Sequence, residues 1–252
     1  MSRFASKSLR WHAQHGRHDL PWVGSRDPYR VWVSEIMLQQ TQVASAAPYY
    51  QRFMRRFPDL QALARAPVAQ VLKAWAGLGY YTRARNLHAC AQRVVSEYGG
   101  SFPCGVDALA SLPGIGPSTA AAIAAFCFDA RAAILDGNVK RVLARVFAVE
   151  GFPGASATQR RLWALAQSLL PRQGAKMPAY TQALMDLGAT VCTRHRPACE
   201  RCPMRADCEA YRQNRVLVLP TPRPARQVPR RDMFWLMVCV GRRVWLQRQP
   251  AR

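Results

Sequence analysis

The chain has 252 residues, half of them apolar, and carries 36 Lys plus Arg against 14 Asp plus Glu, a net charge of +22. That length and apolar content support one large domain or two small ones with a real core, and exclude a disordered chain. The charge points to a polyanionic partner, most simply nucleic acid, over a merely soluble basic protein.

The first stretch, "MSRFASKSLRWHAQHGRHDL", has no apolar run long enough for a signal peptide or a membrane span, and nothing later approaches one. The expectation is an intracellular, cytoplasmic protein associated with DNA and with no membrane. Most of residues 28–213 reads as helix. "RVWVSEIMLQQTQVASAAPYYQRFMRRF" and "SATQRRLWALAQSLL" place apolar residues at three- and four-residue spacings. Pro58, Pro67, Pro103, Pro113, Pro153 and Pro178 fall between such segments as breaks. No clear alternating strand precedes residue 215, so the predicted fold class is all-α. After Tyr211, "LPTPRPARQVPRR" (219–231) reads as an extended linker. "DMFWLMVCVGRRVWLQRQ" then reads as two short strands around Gly241-Arg242. A lone hairpin is not stable in water, so it is expected to be the first piece of a larger β-containing domain.

Several stretches carry chemistry. Glu35 lies among Val31, Trp32, Val33, Ile36, Met37 and Leu38. Such surroundings raise a carboxyl pKa and suit a general acid. Glu35 also shares a helical face with Gln39 and Gln42, so spacing alone favours a solvated polar stripe. "GLGYYTRARNLHACAQ" sets Tyr80 and Tyr81 beside Arg83 and Arg85, which suits base stacking and wedging, or equally a buried Tyr pair at a helix start. Gln39, Gln40 and Thr41 are candidates to reach base edges, or are only helix surface. In "SLPGIGPSTAAAIAAF", Leu112, Gly114 and Gly116 form a tight turn, with a helix starting at Pro117 or Ser118. The turn alone equally suits a plain helix–helix connection; with the net charge, its exposed N–H groups favour a phosphate, as in a helix-hairpin-helix motif. In "AAILDGNVKRVLARVFAV", Asp136 caps the helix that follows. The cap stabilises its anion, which is the form that supports or attacks a sugar cation. One carboxyl favoured neutral and one ionised suit cleavage of a glycosidic bond.

Cys192, Cys199, Cys202 and Cys208 cluster in "VCTRHRPACERCPMRADC" with gaps of six, two and five residues. Four thiolates hold either Zn²⁺ or an iron–sulfur cluster, and only the Cys199–Cys202 pair has short zinc-like spacing. The metal staples a segment too polar to build its own core, and Arg194, Arg196, Arg201 and Arg205 line the loop for phosphates. Cys90, Cys104, Cys127 and Cys239 read as ordinary buried thiols.

The set "LPWVGSRDPYRVWVSEIMLQQTQV", "GLGYYTRARNLH", "LPGIGPSTA", "ILDGNVKRVLAR", "QALMDLGATVC" and the C-x₆-C-x₂-C-x₅-C spacing resembles the adenine DNA glycosylases of the MutY type, in the helix-hairpin-helix glycosylase superfamily. The resemblance runs nearly continuously over residues 8–213. It implies two helical domains with the active site between them. One is a six-helix domain over 22–128. The other is an iron–sulfur domain built from 1–21 and 129–213. A linker (214–231) and a partial Nudix-like domain (232–252) would follow. It also implies a [4Fe–4S] cluster on the four cysteines and a monomer acting on double-stranded DNA that holds an adenine mispair. Glu35 would protonate the flipped adenine, and Asp136 would stabilise or trap the sugar cation. Trp22, Gln40 and Tyr80 match positions that contact the base or wedge the duplex, and Asn138 and Asp186 match positions near the base or sugar. Ser118 stands where strand-nicking relatives carry Lys, so no Schiff base forms there and lyase activity is expected to be weak or absent. Pro117 stands where many relatives carry a basic residue. The competing readings are an endonuclease III-like glycosylase-lyase and a non-catalytic DNA-binding module with a metal staple.

Overall fold

Capping residues set where the helices begin. In the computed structural model, which describes residues 2–225 and 237–245, α1 (Arg3–His15) starts at Ser2, whose hydroxyl accepts from the Ala5 N–H. α2 (Pro28–Leu38) starts at Asp27, whose carboxylate accepts from the Tyr29 N–H, with Pro28 in the first turn. The helical pattern expected to run on from α2 breaks at Gln39–Gln42 before α3 (Val43–Arg56). Gln40 there takes φ +55°, a left-handed conformation that no helix interior accommodates. Asp59 caps α4 (Leu60–Arg65), and α5 (Val68–Trp75) follows Pro67. A glycine-rich turn leads into α6 (Thr82–Tyr98), which ends on Gly99 in the left-handed region. α7 (Val106–Ala110) and α8 (Pro117–Phe128) flank the Leu112–Gly116 turn. α9 (Gly137–Val146) starts at Asp136, and α10 (Ser156–Ser168) follows. α11 (Met177–Asp186) runs into a π-helical turn, Leu187–Val191, and α12 (Glu209–Arg212) closes the cysteine loop. Pro178 does not break a helix; it sits in the first turn of α11, where its missing N–H leaves no bond unmade.

Two apolar cores result. The first gathers Trp32, Phe53, Leu63, Trp75, Leu87 and Leu109 from α2 to α7. The second gathers Trp11 from α1 with Leu143, Leu162, Tyr180, Val191 and Met204 from the C-terminal half. α8 belongs to both: Ala120, Ile123 and Ala124 pack into the first core, Ala121, Ala122 and Ala125 into the second. A helix that is apolar on every side is buried on every side, and alanines let both neighbours approach closely. No described helix is long and apolar enough to cross a membrane.

The chain divides into two compact units, Met1–Pro222 and Arg223–Arg252. The start of the expected linker is docked, with Val216 and Leu219 against the second core and the Thr221 hydroxyl accepting from the Gly151 N–H. In the other unit, Cys239–Val240 pairs antiparallel with Arg243–Val244 across Gly241. The rest of the expected linker (226–231) and most of the expected Nudix-like segment (232–236 and 246–252) lie outside the described residues. Of the four scattered cysteines, only Cys90 is buried; Cys127 is half-buried, and Cys104 and Cys239 are exposed. The apolar neighbours of Cys104 and Cys239 occupy a turn and a two-stranded hairpin, which bury little.

Candidate active site

A cavity of about 220 Å³ lies between residues of the two cores. That suits one heterocycle; drug-sized ligands occupy about 300–1,000 Å³. Its wall comes from three places: the segment after α1 (Trp22 to Arg26), α2 (Val31, Ser34, Glu35), and α11 (Pro178, Ala179, Gln182), with Phe126 and His12 closing it. Trp22 is held by Tyr50, whose ring meets it edge-on at 5.3 Å.

Glu35 is the acidic residue in this largely apolar wall. Desolvation pushes its carboxyl from the ordinary 4.5 up to about 8, and the negative charge of Asp136 pushes the same way. Asp136 is not in the wall. It sits at the start of α9, where its carboxylate accepts from the Val139 N–H at 2.8 Å. Burial raises its pKa too, against the N–H groups of Val139 and Asn138 and the charges of Arg141 and Lys140, which lower it. The cap is therefore only part of the balance, and desolvation outweighs it. The two carboxyls act on one another, since the charge of Asp136 is one of the two causes that hold the proton on Glu35.

The other sequence candidates fall into groups. Gln39, Gln40 and Thr41 form the loop after α2, with Gln40 exposed and the Gln39 side chain reaching Thr119 at 3.4 Å. Tyr80 is 61% exposed at φ +49° in the turn before α6, so it is not half of a buried Tyr pair. Leu112 is buried, and Gly114 (φ +77°) passes so close to Asn86 that an added Cβ would stand 2.8 Å from the Asn86 Cβ. Gly116 caps α8, and the Ser118 hydroxyl accepts from the Leu135 N–H at 3.0 Å, one residue before Asp136. Asn138 accepts from Arg141, whose guanidinium also donates to the carbonyls of Gly188 and Cys192. Asp186 is fully buried behind Gln182 and accepts from it at 2.9 Å and from the backbone and side chain of Arg17.

All four clustered cysteines line a second cavity, with Val142, Val146 and Leu187. No group of three or more His, Cys, Asp or Glu among the described residues is arranged for a single metal ion. Burial raises the Cys199, Cys202 and Cys208 thiols, Cys202 to about 12, and charge on the neighbouring cysteines adds to it. Four thiolates in one apolar pocket therefore need a cationic group among them, and the soft donor set fits zinc or iron–sulfur chemistry. Arg145, 2% exposed, donates to the Cys192 Sγ at 3.4 Å and to the carbonyls of Thr193, Arg194 and Leu219. Of the loop arginines, Arg194, Arg196 and Arg201 are exposed, while Arg205 is occupied by Glu200 and Tyr211.

Sequence reasoning missed His12, Arg26, Phe126 and Gln182 as cavity wall. His12 and Gln182 look like ordinary helix positions, and only the packing of α1 on α11 turns them inward. Arg26 gave no signal, because its ion pair with Asp129 spans 103 residues.

Residues 33–168 match the family model described as HhH-GPD superfamily base excision DNA repair protein. Adenine DNA glycosylases from Buchnera aphidicola subspecies are 35–37% identical over 93–99% of this chain and 66–71% of their own length. The adenine DNA glycosylase of Mus musculus is 45% identical over 84% of this chain and 42% of its own. Among solved structures, a thermostable thymine-DNA glycosylase superposes with a TM-score of 0.75 at 32% identity, covering 83% of this chain and 95% of that one. The chain thus spans about two thirds of its Buchnera relatives and less than half of the mouse protein.

Proposed function

The chain belongs to the HhH-GPD superfamily of base excision DNA repair proteins and, within it, to the adenine DNA glycosylases, and we propose that it hydrolyses the N-glycosidic bond of adenine mispaired with 8-oxoguanine, or with guanine, in duplex DNA. The observation that carries this reading is the coupled carboxyl pair. Glu35 holds its proton up to about pH 8 on the wall of a one-heterocycle cavity, and the Asp136 carboxyl at the start of α9 is near enough for its charge to push the same way.

The adenine leaves the stack and enters the cavity, where Trp22 and Phe126 cover its faces. Glu35 gives its proton to a ring nitrogen, so the C–N electron pair departs with a neutral base. Positive charge grows on the sugar, and the Asp136 carboxylate stabilises it or bonds to it transiently. Water then supplies the new C–O bond, and its proton returns to the Glu35 carboxylate. Ser118 offers no amine and its hydroxyl is engaged by Leu135, which favours hydrolysis without strand scission over a glycosylase-lyase. Asn138 and Asp186 hold the surroundings of the pair: Asn138 through Arg141, Asp186 through Gln182 and Arg17.

We assign the first core to a domain over 22–128 and the second to a domain over 1–21 and 129–213. The four cysteines would hold a [4Fe–4S] cluster, which supplies the cationic group that their shared pocket requires and fixes the loop over 192–208. The partner is duplex DNA, bound as a monomer through the Leu112–Gly116 turn, the start of α8 and the exposed arginines. The test is base release from duplexes holding adenine opposite 8-oxoguanine, opposite guanine and opposite thymine. Release from the first two alone is expected; release from none, or strand scission without added base, would overturn the reading.

A further inference from the structure

Two loops that are some forty residues apart in sequence meet on one guanidinium. Arg83, in the first turn of α6, donates through Nη1 to the carbonyls of Ile36 and Met37 at 2.9 Å and to that of Gln39. Through Nη2 it donates to the Thr41 hydroxyl at 3.2 Å and to the carbonyls of Leu78 and Gly79 at 3.4 and 3.3 Å. Its charge also stands 5.3 Å from the Trp75 ring and 5.5 Å from the Tyr80 ring. The last carbonyls of α2 have no partner within the helix, and a cation there answers both their hydrogen bonds and their dipole.

The clasped groups flank two unusual residues. Gln40 follows the clasped Gln39 carbonyl, and Tyr80 follows the clasped Gly79 carbonyl. These two sit at φ +55° and +49°, a region that L residues other than Asn, Asp and His seldom adopt. Their side chains are exposed, while the carbonyl just before each is held by Arg83. Such backbone persists only where surrounding bonds over-determine it. The same guanidinium also touches α2 one residue after Glu35, so both tips and the acid share one support.

We infer that Arg83 is a positioning residue that locks Gln39–Thr41 and Leu78–Tyr80 into a single two-pronged unit, which enters the duplex as the base leaves the stack. The inference rests on the reading of Gln40 and Tyr80 as the groups that wedge the duplex. A lysine cannot replace the arginine, because a point ammonium lacks the planar fork whose four Nη hydrogens are shared among six acceptors on α2 and the two loops.

The test places 2-aminopurine opposite 8-oxoguanine and follows its fluorescence on mixing with wild-type protein or Arg83→Lys. Arg83→Lys is expected to slow the unstacking rise by about 10- to 100-fold, the worth of one charge-assisted bond or a little more. Duplex affinity, its salt dependence and the melting temperature stay near wild type. An unchanged rise overturns the inference, as does a loss of affinity with a shallower salt slope, which would make Arg83 a phosphate contact. If Arg83→Lys melts well below wild type, Thr41→Val is read instead. It removes one of the six contacts and must slow unstacking at an unchanged melting temperature while Thr41→Ser, which keeps the hydroxyl, does not, or the clasp has no such role. Wild-type protein that neither unstacks the probe nor releases adenine would sink the proposed function itself, a different outcome from normal unstacking by Arg83→Lys.

Discussion

Replacing Glu35 by Gln should abolish excision and at the same time stabilise the fold at alkaline pH. The native carboxyl titrates at about 8 and the unfolded one near 4.5. Between those values the native state holds a proton that the unfolded state has lost, so stability falls as pH rises through the window and levels off above it. At about 1.4 kcal/mol per pH unit, the full gap is at most about 5 kcal/mol. Glu35 is only half-buried by area because it opens onto the cavity. Water there screens its charge, so about 2 kcal/mol is the more realistic size. Glutamine has the same shape and no charge to desolvate. The melting temperature of Glu35→Gln should therefore rise relative to wild type as pH goes from 5 to 8, by roughly 4–8 °C at the upper end for a chain of this length. Single-turnover excision should fall by about 10²–10⁴ with the general acid gone. Melting curves that stay parallel from pH 5 to 9 would show that the carboxyl is not desolvated. Excision within tenfold of wild type would remove Glu35 as the acid, and either result breaks the mechanism at its first step.

Asp136→Asn keeps a capping side chain at α9 and removes a desolvated charge, so its melting temperature should hold or rise while excision drops by about 10²–10³, the loss expected for one electrostatic stabiliser; near-normal excision would leave Asp136 as a cap only. Cys199→Ser or Cys202→Ser should yield a colourless, poorly soluble protein, read by its visible absorption spectrum, and full colour in either would undo the four-cysteine assignment. Gly114→Ala should weaken duplex binding measured by anisotropy, because the left-handed turn and the contact with Asn86 both resist a Cβ. Duplex affinity should fall steeply with salt, by a slope of about −0.9 per phosphate contacted, and a flat slope would exclude the arginine-rich surface as the DNA contact.

Features written in local chemistry were legible from the sequence. Asp136 caps a helix because its neighbours follow capping rules, and the Leu112–Gly116 turn announces itself through Pro and Gly. The four cysteines declare a shared pocket by their density alone. The break between α2 and α3 was hidden, because the apolar period continues across Gln39–Gln42 while the backbone does not. It depends on Arg83, which is more than forty residues away. The cavity wall was hidden for a similar reason: Gln182 and His12 face it only because α1 packs on α11. The state of Asp136 was half legible, since capping is local but desolvation depends on everything packed around it.

The alanines of α8 set how closely the two cores approach, and each core carries one of the two carboxyl groups. Glu35 rides on α2, which rests on one side of α8, and Asp136 starts α9, which belongs to the core on the other side. α8 therefore stands between the core that carries the acid and the core that carries the anion, and its start is tied through Ser118 to Leu135, the residue before Asp136. A single larger side chain, Ala122→Val for example, would disturb packing by about 1–3 kcal/mol and also spread the halves. Natural variation in this wall should then be filtered by reaction rate before it is filtered by folding: α8 can lose its spacing while it still holds the molecule together.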